Sequence, residues 1–597
     1  MKKIYFSLVP ILYVLGLILI LSSNLITQTD AANKDSNKEH RRKQSYDVIV
    51  VGGDPEGVAA AVSAARNGMK VLLIEKRDGL GGLITYGMLN YLDIPLNYQG
   101  KVVSQGIFSE WHNLVGGKNV ISVDIDTAKN AFFQLVQQEK NIKLMLESEV
   151  LNALKEENQV VGLTVKNEKG IQDYFGKVII DATADADFAT LAGVPAFNGQ
   201  EDIGKEDLMA ATLVIYLENV DWKKVKAVVE QKTFGNATIT ATAAWGFGDI
   251  YNDYKEKYDN TTVRPLNIGR TPKGEVFINA LQIFSIDGLN RESIQTGLEI
   301  GKQESIAFVE WLKSHFPGFE HATIKMFPEE LYIRETRHIL AEYQLKISDV
   351  WENKHHWDDI AIGAYPTDIQ ATAKTNIGGI IVNPNQYGIP LRSIIPKQIN
   401  GVLVASKASG YSSLAAGSAR VIPTGMAVAQ AAGVVAAKAI DEELEVRELA
   451  KNKQMVQEIQ ARLKAQGQYL EPLQNPDFPY KGEKFYPALR YLIEHGLIIA
   501  GYENNVHAKE PMKVSSFIKT IANGMKYIDY KTYQEKQELL HDLLETAGED
   551  LLNEQELRRL YQKLTGEKLD IKVASGPYVL RSEAFPIMAK ILQKYDK

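Results

Sequence analysis

The stretch Tyr46-Asp47-Val48-Ile49-Val50-Val51-Gly52-Gly53-Asp54-Pro55-Glu56-Gly57 decides how this chain begins to fold. Its first six residues form an apolar, β-branched run of the kind a buried strand requires. The glycines behind it predict a tight turn, and the alanine-rich residues 58–65 predict a helix. A second apolar strand over 70–74 ends at Glu75, 23 residues beyond Gly52. In that order, glycine lets the backbone approach a pyrophosphate and the helix N-terminus supplies free N–H groups. The carboxylate then holds a ribose hydroxyl. The pattern nominates Gly52, Gly53, Pro55, Glu56, Gly57, Glu75 and Lys76 as residues that hold a dinucleotide. It departs from G-x-G-x-x-G at the second glycine, where Asp54 sets a carboxylate beside the expected phosphates.

A second glycine-rich segment, Gly79-Leu80-Gly81-Gly82-Leu83-Ile84-Thr85, follows the acidic residue directly. A nicotinamide domain proceeds here to its next crossover helix, whereas flavoproteins often lay a loop against the cofactor; Gly81, Gly82 and Thr85 are its candidate contacts. From this point the chain resembles the FAD-dependent oxidoreductases related to the flavin portion of heterodisulfide reductase A. The resemblance runs over about residues 46–440. The run Asp181-Ala182-Thr183-Ala184-Asp185-Ala186-Asp187 looks like the family's D-A-T-G-D-G-D turn with both glycines replaced by alanine. Arg334-Glu335-Thr336-Arg337 and Tyr365-Pro366-Thr367-Asp368 look like its substrate-side motifs. The segment from Arg420 through Pro423-Thr424-Gly425-Met426 looks like its closing flavin motif. The resemblance implies FAD as cofactor, with Asp181, Thr183, Asp185, Pro423, Thr424, Gly425 and Met426 beside it. Alanine does not readily take positive φ, so Ala184 and Ala186 predict a reshaped turn.

Chemistry on the substrate side is expected from Arg334, Arg337 and Arg420, whose guanidinium forks bind carboxylates or phosphates at any working pH. They hold either an anionic substrate or the pyrophosphate, and acids such as Glu335 and Glu342 offer Arg334 and Arg337 a purely structural alternative. His338 and Tyr365 are the candidate proton donors for a hydride transfer. His355-His356-Trp357 reads as a loop, and no metal site is predicted.

Composition narrows the classes. Of 597 residues none is cysteine, which removes disulfides, thiolate metal sites and cysteine-ligated iron–sulfur clusters. The net charge of −7 argues against nucleic acid as a partner. Lys2 and Lys3 precede an 18-residue apolar run, 4–21, and Ala31-Ala32 stand near a cleavage point. Residues 1–32 therefore predict a signal peptide or an uncleaved membrane anchor, and a location outside the cytoplasmic membrane, secreted or anchored.

The expected class is α/β, with a Rossmann-like FAD-binding domain interrupted by an α+β cap and followed by a small, mostly helical C-terminal domain. A charged linker spans 33–45. The FAD-binding parts are 46–198 and 350–441, with the cap at 199–349 between them. A helix and proline-rich linker cover 442–480. Over 481–597, helix, glycine, a Gly501-Tyr502 turn and a second helix look like an S-layer homology repeat, which implies attachment to cell-wall polysaccharide. Two functions follow: an exported FAD enzyme acting on a small organic substrate, or a non-catalytic surface protein keeping a flavoprotein scaffold.

Overall fold

Strand β1 (Ser45–Val51) is followed by α1 (Pro55–Arg66) and β2 (Val71–Ile74), as the opening stretch requires. The computed structural model describes residues 44–596 apart from 118–119, 473, 475, 571 and 574. The apolar run 4–21, the cleavage point and most of the charged linker lie outside the described residues.

Three further strands, β3 (Ile142–Met145), β4 (Glu149–Glu156) and β5 (Gln159–Asn167), precede the long β6 (Gly170–Asp181). The sheet runs β3-β2-β1-β6-β5-β4. Strand β6 does two jobs. Residues Gly170 to Phe175 pair antiparallel with β5, and its second half runs parallel to β1 and to the strand Val402–Val404. The parallel strands are covered on both faces, which is why Val48 to Val50 and Val71 to Leu73 are all buried and apolar rather than alternating. Val51, Ile74, Asp181 and Val404 finish at one edge of the sheet. In an open α/β sheet that edge is where ligands settle.

The closing helix Ile422–Asp441 packs against α1. Alanine dominates both because the two backbones come close: a Cβ on Gly433 would sit 2.7 Å from the Ala60 carbonyl. Ser63 Oγ donates to the Gln430 carbonyl at 2.6 Å and fixes the register. The short helix Ser413–Ala419 meets the closing helix at 94°, and Arg420 stands at that corner.

The cap is a six-stranded antiparallel sheet in the order Thr323–Met326, Ile215–Glu218, Val276–Ile283, Thr261–Arg270, Ala243–Gly246, Ala237–Ile239. The helix Arg291–His315 packs against this sheet, and the cap has a hydrophobic core of its own. Glu304, fully buried within it, accepts hydrogen bonds from Tyr254 at 2.5 Å and Thr261 at 2.9 Å.

After the closing helix the described chain is helical. The single helix expected at the start of 442–480 is two, Val446–Leu449 and Lys453–Ala465. Asn452 interrupts them by capping the second, accepting from the N–H groups of Gln454 and Met455. Helices Tyr486–Glu494 and Val514–Ile528 flank Gly496 and Gly501, both at positive φ. Their apolar faces join the same core as α1 and the closing helix, so this region is built onto the nucleotide domain.

Candidate active site

A cavity of about 470 Å³ opens at the C-terminal edge of β1, β2 and β6. Its floor holds Gly52, Asp54 and Glu56; Glu75 and Lys76 stand at one end, with Ser148 to Val150. Thr183, Asp185 and Lys407 form one wall, Ile422 and Pro423 the opposite one, and the cap lowers Tyr332, Ile333 and Arg334 over the top.

The glycines are sterically required. Gly52 has φ +99°, and a Cβ there would lie 2.9 Å from the Ala182 carbonyl oxygen. A Cβ on Gly57 would fall 1.8 Å from the carbonyl oxygen of Gly52, so only glycine lets α1 start this close to β1. Pro55 occupies the first helical turn, where its missing N–H costs nothing. Gly53 N–H donates to Glu75 Oε2 at 2.5 Å, and Arg77 N–H donates to Oε1 at 2.7 Å. Gly81, Gly82 and Thr85 lie behind the cavity wall. Thr85 Oγ1 donates to the Leu80 carbonyl at 2.9 Å, and a Cβ on Gly82 would strike Asp54. These three shape the loop that receives the Asp54 side chain.

Asp54, the departure from the glycine pattern, is buried and paired. Arg77 Nη1 donates to Asp54 Oδ1 at 2.9 Å and to Glu75 Oε2 at 3.2 Å. The same guanidinium grips Glu330 of the cap at 2.6 and 3.0 Å. Burial lifts the Asp54 carboxyl to about 6 against the pull of Arg77. One arginine therefore ties the nucleotide loop, the end of β2 and the cap together.

Asp181 is turned away from the cavity. Its Oδ1 accepts from Thr183 N–H and Oγ1 at 2.9 and 2.7 Å, and its Oδ2 accepts from Ala189 N–H at 2.7 Å. It organises the turn that presents Thr183 and Asp185. Asp181→Ala strands those buried donors and is expected to lower stability by about 2 kcal/mol, read by urea unfolding. Ala186 keeps a left-handed backbone, φ +52°, despite its Cβ, whereas Ala184 needs no positive φ. Asp185 accepts from Lys407 at 2.6 Å and Thr336 at 2.5 Å; burial raises its carboxyl, but these partners outweigh burial and hold it low. On the closing helix only Pro423 of the four nominated residues lines the cavity. Thr424 and Met426 are core, and Gly425 makes room for Glu56.

On the substrate side, Arg334 and Arg420 line the cavity while Arg337 and His338 do not. Arg337 donates to the Asp185 carbonyl and to Asp187 Oδ1, at 2.8 and 2.9 Å, and so locks the turn. His338 is 1% exposed, stacked on Phe197 and bonded to Glu335 at 3.0 Å. Both sit behind the wall because the strand Arg337–Ile339 pairs with Ala196–Asn198 outside the main sheet. Arg334 donates through Nη1 to the Ala210 carbonyl and Thr212 Oγ1, and its guanidinium carbon lies 4.1 Å from the Tyr332 ring centre. Burial, together with the charges of Arg264 and Arg420, pushes it down to about 10. Arg420 donates to the Tyr332 hydroxyl at 2.8 Å. Arg334 Nη2 and Arg420 Nε are buried and have no partner among the described residues.

Tyr365 faces Asp93, a cavity-lining residue that sequence reasoning does not nominate. Burial raises the Asp93 carboxyl, as does Asp368, while Tyr365, Arg420 and Arg264 pull it down. No local pattern marks Asp93, because its partners come from distant segments. Arg77 did have a signal: a carboxylate at a phosphate-binding turn needs a cation, and Arg77 is the third residue past the end of β2.

The cavity suits FAD in extent and donor set. It runs from Glu75 at the end of β2, across the N-terminus of α1, to the N-terminal turn of the closing helix. The sequence profile of the family described as FAD dependent oxidoreductase matches residues 47–463. A 167-residue stretch is 28% identical to digeranylgeranylglycerophospholipid reductase of Picrophilus torridus, covering 25% of this chain and 42% of that one. The same enzyme of Thermoplasma acidophilum is 27% identical over 200 residues, covering 30% and 48%. The matches thus span less than half the length of these relatives. Among solved structures, a geranylgeranyl bacteriochlorophyll reductase-like protein of Thermoplasma acidophilum has a TM-score of 0.36 at 14% identity, covering 84% of this chain and 99% of that one. The p-nitrophenol 4-monooxygenase of Pseudomonas putida has a TM-score of 0.34 at 11% identity, with the same coverage. With its profile match spanning both halves of the nucleotide domain and the cap between them, the chain belongs to the FAD-dependent oxidoreductase family and is an enzyme whose cofactor is FAD.

Proposed function

We propose that this flavoenzyme works outside the cytoplasmic membrane and moves a hydride between FAD and a small organic substrate bearing a carboxylate or phosphate. The observation that carries the substrate class is the pair of guanidinium groups, Arg334 and Arg420, that line the cavity. A planar anion answers such donors, whereas a neutral substrate leaves them desolvated at a cost. Asp93 with Tyr365 is the proton-exchanging pair, since a hydride transfer needs a partner proton and Asp93 is the carboxyl of that pair that lines the cavity. FAD, when bound, supplies hydride acceptance and release; the chain supplies orientation, charge and the proton. The absence of cysteine leaves no cysteine-ligated cluster to carry electrons onward. The extracytoplasmic location is supported by residues 1–32, and the resemblance to the heterodisulfide reductase flavin portion by the motifs around Asp181 and Arg420.

The test is an anaerobic screen of carboxylates and phosphates for bleaching of the FAD-loaded protein. With a bleaching compound in hand, Arg420→Lys is expected to lower kcat/KM roughly ten- to hundred-fold, the equivalent of about 1.5–3 kcal/mol for a charge-assisted hydrogen bond. An Arg420→Lys enzyme with unchanged kcat/KM, or bleaching confined to uncharged compounds, would overturn the anionic-substrate reading.

A further inference from the structure

We propose that Glu56 meets the cofactor as a neutral carboxylic acid and donates a hydrogen bond to its diphosphate at the N-terminal turn of α1, so that FAD binding is linked to one proton. This rests on the FAD reading of the cavity and concerns residues of this chain that the glycine pattern does not explain.

Glu56 is the second residue of α1, is 8% exposed and lines the cavity floor. Across from it stands the first turn of the closing helix. A Cβ on Gly425 would lie 2.3 Å from Glu56 Oε1, so the carboxyl is wedged against the backbone of that turn. The charged and titratable groups around it come from three segments: Asp54 before α1, Lys407 after the strand Val402–Val404, and the Tyr411 hydroxyl beyond it. Lys407 is engaged by Asp185 at 2.6 Å, and Arg77 serves Asp54, Glu75 and Glu330. Neither of these two cations is left for Glu56 alone.

A diphosphate at the N-terminus of α1 enters a crevice that already holds Asp54. An ionised Glu56 there would repel it, and burial leaves that repulsion weakly screened. A protonated Glu56 removes the repulsion and turns an acceptor into a donor aimed at an anion, which reconciles an acidic residue with this position. The site keeps that proton unaided: burial, reinforced by Asp54 and opposed by Lys407, pushes the Glu56 carboxyl up to about 8. A bound diphosphate raises it further.

The signs follow from linkage. For the protein without FAD, protonated Glu56 contributes stability that is fully present below the ordinary carboxyl value of 4.5 and is lost as pH rises through about 8. For FAD binding, the Glu56 contribution is level below about 8, where the proton is already in place, and affinity weakens above it as the proton must be supplied; the Asp54 carboxyl, at about 6, titrates below that window.

The experiment titrates the full chain with FAD, following flavin fluorescence quenching from pH 6 to pH 9.5, alongside Glu56→Gln, whose amide donates without titrating. For the natural protein Kd is expected to be level from about pH 7, above the Asp54 step, to about pH 8 and then to rise roughly tenfold per pH unit. Glu56→Gln is expected to stay within about threefold of it at pH 7 and to remain level to pH 9.5. A second readout needs no FAD: the stability advantage of Glu56→Gln in urea unfolding grows between about pH 4.5 and 8. A Glu56→Gln protein that keeps the rise in Kd, or that loses FAD at pH 7, overturns the donor role. A stability gap that does not change with pH overturns the buried proton. If the natural chain takes up no FAD at any pH, the flavin reading fails and the donor role with it. In that case the stability gap still reports the proton separately.

Discussion

Arg77→Ala is expected to destabilise the protein by about 3–5 kcal/mol, the usual consequence of removing one partner from a buried ion-pair cluster. The guanidinium is 15% exposed and faces two carboxylates, Asp54 and Glu75, that are nearly or wholly withdrawn from water. Without it, both charges stand uncompensated at the mouth of the nucleotide site, and Glu330 of the cap loses its two-point anchor. Urea unfolding should therefore show a much lower midpoint, and FAD titration a large loss of affinity. The double substitution Arg77→Ala with Asp54→Gly removes one of the two buried stranded charges and restores the glycine of the usual pattern. It is expected to recover a substantial part of both losses. A single variant within about 1 kcal/mol of the natural protein would show that the cluster is solvated and of surface strength.

Gly57→Ala is expected to cost about 3 kcal/mol or more, the upper end for overpacking, and to abolish FAD binding. The added methyl would lie 1.8 Å from the Gly52 carbonyl oxygen, backbone against backbone, where no side chain can swing aside. Relief requires α1 to back away from β1. The N-terminal turn that receives the diphosphate then moves, and the Ala60–Gly433 contact that seats the closing helix opens with it. Thermal unfolding and FAD binding on the same preparation check both halves; near-natural values for either would mean that this approach is looser than the structure has it.

The β1–α1–β2 unit was legible because its evidence is local. A strand run, a glycine turn, an alanine-rich helix and an acid fall within 30 residues, and each constrains its neighbour through backbone geometry. The alanines of α1 and of the closing helix were legible for the same reason, as surfaces for close helix packing. The division of the substrate-side motif Arg334–His338 was not legible. All three candidate side chains of that segment, Arg334, Arg337 and His338, carry suitable chemistry, and only the pairing of Arg337–Ile339 with Ala196–Asn198 decides which of them face the cavity. Asp93 was hidden by distance, and so were the partners of Arg77. Arg77 meets Asp54 across 23 residues and Glu330 across 253, a relation no spacing rule reports. Asp54 itself looked like a flaw in a phosphate site. With Arg77 beside it and Gly82 making room, it is a charge already answered.

FAD is expected to lie in the cavity between Gly52, Glu75 and Pro423. The most direct measurement is the absorbance spectrum of the purified chain before and after FAD is added and excess removed by gel filtration, with Gly57→Ala run beside it. One flavin per chain is expected, with its visible bands shifted from those of free FAD, and no retained flavin on the variant. A natural chain that emerges colourless after saturation with FAD, or a Gly57→Ala chain as yellow as the natural one, would contradict it.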